Sequence, residues 1–322
     1  MKYALLFPGQ GSQEVGMLKA LGAEHSVVDE TFREASDVLG WDLLQLVKDG
    51  PAEQLNKTQR TQPALLAAGV AVWRAWSAAG NAPAPLALAG HSLGEYTALV
   101  AAGALTFADA LKLVELRGNL MQAAVAEGVG AMAAVIGLDD QGVEKACAAY
   151  DGDGVLEAAN YNAPGQVVVA GTRGAIDWLV ANSKQFGARK VMPIPVSVPS
   201  HCSLMRPAAD QLAERLRDVD VQRPQVPVLH NLDAQARTEA AEIREALIQQ
   251  LYRPVRWSLT IRNLHEQGVS GLFECGPGKV LTGIGKRVLD VAPEAARFLP
   301  LGELVGFAEA QSLFTTQTME QA

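Results

Sequence analysis

At 322 residues the chain has room for two average domains, or for one large α/β unit carrying an insertion. Hydrophobic residues make up 49 %, enough for a sizeable core, which excludes disorder as the main state. The balance of 27 basic against 35 acidic residues, a net of −8, argues against a nucleic-acid binder, because phosphate needs a basic surface.

The chain opens on Tyr3–Phe7, an apolar run that reads as a buried parallel-type strand. Pro8-Gly9 stops it before a signal-peptide core forms, and no apolar run reaches the ~18 residues that span a bilayer. A cytoplasmic protein without a membrane segment is therefore expected. Several helical stretches follow, the clearest being Ala64–Ala79, with Pro63 in its first turn and Gly80 as its stop. Leu86–Ala89 reads as a strand ended by Gly90, followed by helices over Tyr96–Ala104 and Phe107–Ala126.

Residues 127–196 have a different rhythm. Strand Ala131–Ile136, helix Asp139–Ala149, strands Val155–Asn160 and Gln166–Ala170, helix Gly174–Phe186 and extended Arg189–Val196 follow in turn. That order, βαββαβ, is the split-βαβ pattern of a ferredoxin-like unit. It is favoured as an insertion at 127–196 over one continuous sheet, since the larger unit resumes afterwards. There the sequence predicts helix Leu204–Val219, strand Val226–Asn231, helices Glu239–Leu251 and Leu259–Glu266, and strand Gly271–Glu274. That strand runs into Gly276-Pro277-Gly278 and a short helix. Such alternation argues for a parallel sheet covered by helices. Residues from about Glu303 onward look peripheral, as a helix or a frayed tail.

Cys147, Cys202 and Cys275 stand apart with no CxxC pair, and the five histidines lack an HExxH-type spacing. Reduced thiols and no metal site are expected. The sharpest chemical signal is Gly90-His91-Ser92-Leu93-Gly94 between a strand and a helix. G-x-S-x-G in that setting is a nucleophile elbow, whose glycines permit a turn that holds the serine hydroxyl out at the strand end. The Leu93 N–H is left unpaired at a helix start, aimed where an oxyanion would develop.

For the base, His91 adjoins Ser92 and is expected to pack beside the turn, while His25 and His265 lie in polar helical surroundings and are expected to be solvated. His230 ends a strand and remains a rival. His201, in Ser197-Val198-Pro199-Ser200-His201-Cys202, lies where the chain returns from the insertion, a junction where clefts form. The residues alone leave this choice open. No aspartate stands out as a third triad member, so a backbone carbonyl orienting the histidine in a Ser–His dyad is an alternative.

Arg117 sits at the centre of an apolar helical face. Ala110, Leu113, Val114, Leu120, Met121 and Ala124 fall within roughly 60° of it at about 100° per residue. A buried guanidinium needs an anion, either an internal carboxylate or a substrate carboxylate held bidentately. Pro8-Gly9-Gln10-Gly11-Ser12-Gln13 lacks the Gly-Lys-Ser/Thr of a phosphate loop. Its glycines would bring backbone N–H groups near a ligand, as a second oxyanion donor or merely as a βα turn.

The chain as a whole resembles the malonyl-CoA:acyl carrier protein transacylases of fatty acid synthesis. The likeness runs through FPGQGSQ (7–13), TQPALLAA (61–68), GHSLGEYTALVAAGAL (90–105) and RG..MQ (117–122). It continues through NAPGQVVVAG (162–171), VSVPSHC (196–202), LYRPVRW (251–257) and GPGKVLTG (276–283). The resemblance implies a hydrolase-like large α/β subdomain, 1–126 and 197–322, with a mostly parallel sheet and a ferredoxin-like insert. It implies Ser92 as nucleophile, His201 as base, and the Gln10 and Leu93 N–H groups as oxyanion hole. Arg117 would hold the malonyl carboxylate, and Gln250 would lie at the substrate site with its carbonyl orienting the histidine. His91 and Gln62 would line the site at most. Past residue 303 the likeness fades.

The implied activity is malonyl transfer from malonyl-CoA to the phosphopantetheine thiol of holo acyl carrier protein, ping-pong, without a cofactor of its own. The carrier is acidic in that family, so a net-negative chain needs a local basic patch. Arg189-Lys190 and Lys279 with Lys286-Arg287 are candidates, each set against ordinary solvated charge. Other readings remain: an esterase or thioesterase on the same elbow, a malonyl transferase serving malonate decarboxylation or polyketide assembly, and a docking module with a vestigial pocket.

Overall fold

The computed structural model describes residues 1–319 except Asn81, Ser197 and 291–294. Ser197 of the VSVPSHC motif and the last three residues of the tail lie outside the described residues. The strands, in chain order, are β1 (Tyr3–Phe7), β2 (Ala87–Gly90), β3 (Gly130–Ile136), β4 (Leu156–Ala163), β5 (Gln166–Thr172), β6 (Lys190–Ile194), β7 (Val228–Leu229), β8 (Gly271–Glu274) and β9 (Arg297–Pro300).

One sheet has the order β7-β2-β1-β8-β9, with every pairing parallel. Successive side chains of β1 point to opposite faces. Leu5 and Phe7 enter the larger core with helix Thr58–Ala78, while Ala4 and Leu6 meet Trp257, Ile261 and Leu272 on the other. Burial on both faces is what the uninterrupted apolar run of β1 encodes. Phe7 registers with Gly90, so the loops leaving β1 and β2 emerge side by side at the carboxyl edge.

The second sheet has the order β4-β5-β3-β6 and is antiparallel throughout. Helices Asp140–Ala148 and Arg173–Asn182 cover one face, where Val143, Ala146, Ile176 and Leu179 pack on Val135, Val167 and Val169. This is the strand order of a split βαβ unit. Its other face carries Met132, Val168 and Ala170, packed with Cys202 beside the junction to the larger unit. The expected class, a mostly parallel α/β unit with a ferredoxin-like insert, is the one observed.

Four local expectations need correction. The helix placed at Ala64–Ala79 begins at Thr58, so Pro63 lies inside it. Packing extends it: Gly118 of helix Phe107–Ala124 backs so closely onto Gln59 that a Cβ at Gly118 would stand 2.7 Å from the Gln59 Cα. The strand expected over Val226–Asn231 is reduced to Val228–Leu229, because His230 and Asn231 turn away to bond the helix after β2. β9 was not expected. It is an edge strand ending in proline, a position where the missing N–H costs no ladder bond. The tail is not peripheral: helix Leu304–Met319 buries Phe307, Ala310 and Phe314, and the Phe314 ring centre lies 5.1 Å from that of Tyr3. Among the described residues no helix is long and apolar enough to cross a membrane.

Candidate active site

β2 delivers the chain into a turn that only glycine permits at both ends. A Cβ on Gly90 would overlap the Gly94 carbonyl, and one on Gly94 would overlap the Phe7 carbonyl. Between them Ser92 has φ 51°, a left-handed conformation that a non-glycine residue adopts only when its surroundings enforce it. Helix Gly94–Ala101 follows directly.

His201 approaches from the far side, also with a positive φ, 63°. Its backbone N–H donates to the Leu251 carbonyl at 3.0 Å, anchoring the loop that leaves the small sheet. His201 is 3 % exposed. Nδ1–H donates to the Gln250 carbonyl at 2.7 Å, which leaves Nε2 to accept the Ser92 hydroxyl, also at 2.7 Å. A backbone carbonyl thus occupies the place of the missing aspartate and fixes the tautomer. Burial, reinforced by the Arg117 charge, pushes the His201 pKa down to about 3. The imidazole is neutral at pH 7, the state a general base requires.

Arg117 is 1 % exposed. Nη1 donates to Gln62 Oε1 at 2.8 Å, and Nη2 donates to Gln250 Oε1 at 3.0 Å and to Ser92 Oγ at 3.3 Å. Among the described residues its Nε has no hydrogen-bond partner. Among the described residues no carboxylate forms an ion pair with it. Burial lowers its pKa, while Tyr96 and Glu95 oppose that shift. Of the two partners left open by the sequence, no internal carboxylate among the described residues is in direct contact with it.

Gln10, Ser92, Leu93, Arg117 and His201 line one cavity, closed on the insert side by Met132, Val168 and Ile194. The Gln10 and Leu93 N–H groups make no hydrogen bond among the described residues, so both remain available as donors. Gln250 does not line the cavity. It stands behind, its carbonyl on His201 and its amide joining Arg117 to Glu95, with Nε2 donating to Glu95 Oε2 at 3.0 Å. Gln62 does more than line the wall, because it holds the guanidinium. His91 packs beside the turn as expected and donates to Asn162 Oδ1 at 2.9 Å. His230 is no base for Ser92, being buried against Glu95 at 2.7 Å. His25 and His265 are half-buried rather than solvated as expected, His25 because it packs on the tail helix with its ring centre 5.0 Å from that of Phe307.

Sequence reasoning passed over Glu95 and Asn231. Glu95 received no role, and Asn231 was read only as the end of the strand expected over Val226–Asn231. No local signal could have found them together, because they stand 136 residues apart and only folding joins them.

The model of the acyl transferase domain matches residues 4–318. A Haemophilus influenzae protein named malonyl CoA-acyl carrier protein transacylase is 54 % identical, over 89 % of this chain and 92 % of its own. An acyl carrier protein S-malonyltransferase from Vibrio cholerae superposes with a TM-score of 0.92 at 51 % identity, over 96 % of this chain and all of its own. A malonyl-transacylase solved in complex with a type II PKS acyl-carrier protein gives 0.93 at 49 %, covering 97 % and 99 % of the two chains. With this coverage and identity, the chain belongs to the malonyl-CoA:acyl carrier protein transacylases, within the acyl transferase domain family.

Proposed function

We propose that the protein moves the malonyl group from malonyl-CoA to the phosphopantetheine thiol of holo acyl carrier protein, supplying fatty acid synthesis, through malonyl-Ser92. The observation that carries this reading is a buried arginine that forms no ion pair among the described residues, one hydrogen bond from a serine–histidine couple. His201 Nε2 takes the Ser92 proton as Oγ bonds to the thioester carbon. The carbonyl electrons move onto oxygen, which the Gln10 and Leu93 N–H groups receive, each donor worth ~3 kcal/mol in comparable sites. The C–S bond breaks, and the CoA sulfur leaves with the proton from His201. In the second half-reaction the carrier thiol gives its proton to His201 and attacks the ester carbon, and Ser92 Oγ departs with that proton. One covalent state shared by two half-reactions implies ping-pong kinetics.

This chemistry runs on side chains and backbone N–H groups. Malonyl-CoA enters as substrate, and phosphopantetheine arrives on the partner. The split into 1–126 with 197–322 and 127–196 puts the cavity where the two units meet, and a cytoplasmic location fits the substrates. Carrier docking is assigned to the cleft lined by Arg189, Lys190 and Arg287, which lies along β6, the strand whose far end reaches the cavity through Ile194. Lys279 is paired with Glu303 at 3.5 Å and is the weaker candidate. A relative bound to a type II PKS acyl-carrier protein makes polyketide carriers the second acceptor class. Incubation with malonyl-CoA, with and without holo-carrier, tests the reading: malonyl-carrier should form, whereas free malonate released at one rate in both would mark a hydrolase.

A further inference from the structure

The Ser92 backbone is held from three directions. Asn231, just beyond β7, spans the elbow with its amide: Oδ1 accepts the Ser92 N–H at 2.7 Å and Nδ2 donates to the Gly90 carbonyl at 2.6 Å. Gln250 Nε2 and the Glu95 N–H donate to the Ser92 carbonyl at 3.0 and 3.1 Å. Asn231 is itself fixed, its own N–H donating to Glu95 Oε2 at 2.8 Å and its carbonyl accepting from the Arg256 N–H at 2.9 Å. Asn231 is 2 % exposed and Glu95 is fully buried, so neither pair competes with water.

We propose that Asn231, braced by Glu95, is a positioning residue for acyl transfer: its amide holds the elbow in the left-handed conformation that aims Ser92 Oγ at His201 Nε2. By occupying the Ser92 N–H it also leaves Leu93 as the elbow's free donor to the oxyanion. The two bonds made by one planar amide fix the Gly90 carbonyl and the Ser92 N–H relative to each other across the turn. A leucine or alanine offers neither. An aspartate keeps the acceptor but, when ionised, loses the donor to Gly90. Asn231 touches neither the cavity nor the malonyl site, so its effect falls on the rate of attack and not on substrate affinity.

The proposal rests on Ser92 being the acylated residue; absence of malonyl labelling in the unaltered protein would overturn that reading rather than this one. The test uses Asn231→Ala and the size-conserving Asn231→Asp. In each, reactive serines are counted by malonyl-CoA burst titration, and the acylation rate per reactive site is measured by rapid quench. A misplaced nucleophile predicts a per-site rate ~10- to 100-fold lower, with the malonyl-CoA concentration that half-saturates the single-turnover acylation rate within about twofold of the parent. A per-site rate equal to the parent's, with only the titre reduced, would show a purely structural role and overturn the proposal. Failure of both variants to yield any reactive serine would overturn it equally, by making the amide a folding element.

Discussion

Arg117 Nη2 lies 3.3 Å from Ser92 Oγ, yet the guanidinium spends its other bonds on the neutral amides of Gln62 and Gln250. A buried cation held by uncharged acceptors beside a nucleophile is poised for an anionic acyl group. Arg117→Ala should therefore lower kcat/KM for malonyl-CoA by ~100- to 1000-fold, the range expected when one partner of a buried charged pair is removed. The loss for acetyl-CoA, which has no distal carboxylate, should stay under about tenfold. Steady-state kinetics on both thioesters decide, and equal losses would leave Arg117 a structural role.

The same guanidinium helps burial push the His201 pKa down to about 3. The acid limb of kcat/KM for the free enzyme should then lie well below the ordinary histidine value of about 6.5. In Arg117→Ala one of the two largest depressing causes is gone, so the limb read with acetyl-CoA should move upward. A limb near 6.5 in the parent would contradict the account. The linkage to folding has a definite sign. The unfolded chain binds a proton at this histidine below about 6.5 while the native chain does not. Its contribution is fully present above that value and is lost as pH falls toward 3, a loss that His201→Asn should lack in pH-dependent unfolding.

Glu95 carries a stability prediction. Its carboxylate accepts from His230 Nδ1, the Asn231 N–H and Gln250 Nε2 with no access to water. Glu95→Ala would strand three buried donors and should cost ~3–5 kcal/mol, as when one partner of a buried polar network is deleted. Thermal unfolding would show this as a drop in Tm of several degrees; a Tm within one or two degrees of the parent would refute the network's importance.

What could be read in the sequence was what local pattern encodes. The Gly90–Gly94 spacing after an apolar run specified the elbow, and strand and helix periodicities over 127–196 specified the second sheet. The centred position of Arg117 on an apolar face announced a buried cation. Its partners were not legible, because Gln62 and Gln250 lie 55 and 133 residues away in the chain and carry no charge signal. The role of His230 failed for the same reason: only folding brings it against Glu95, 135 residues earlier. Helix Leu304–Met319 looked peripheral since its few aromatic anchors are spaced among polar residues, and β9 was too short and too close to proline to register.

The elbow glycines supply a steric prediction. Gly94→Ala would drive a methyl group into the Phe7 carbonyl of β1, where no flexible side chain can give way. Soluble yield and serine titre should collapse together, and a well-folded, fully active Gly94→Ala protein would contradict the close approach of β1 to the elbow.

The central claim is that one serine carries the acyl group between two thiols. Rapid-quench mass spectrometry of the intact protein and its Ser92 peptide, after brief exposure to malonyl-CoA and then to holo acyl carrier protein, tests it most directly. The account predicts one malonyl adduct per chain on Ser92, absent in Ser92→Ala, that disappears as malonyl-carrier accumulates in equal amount. An adduct that persists in Ser92→Ala, or turnover to malonyl-carrier with no adduct at any time, would contradict it.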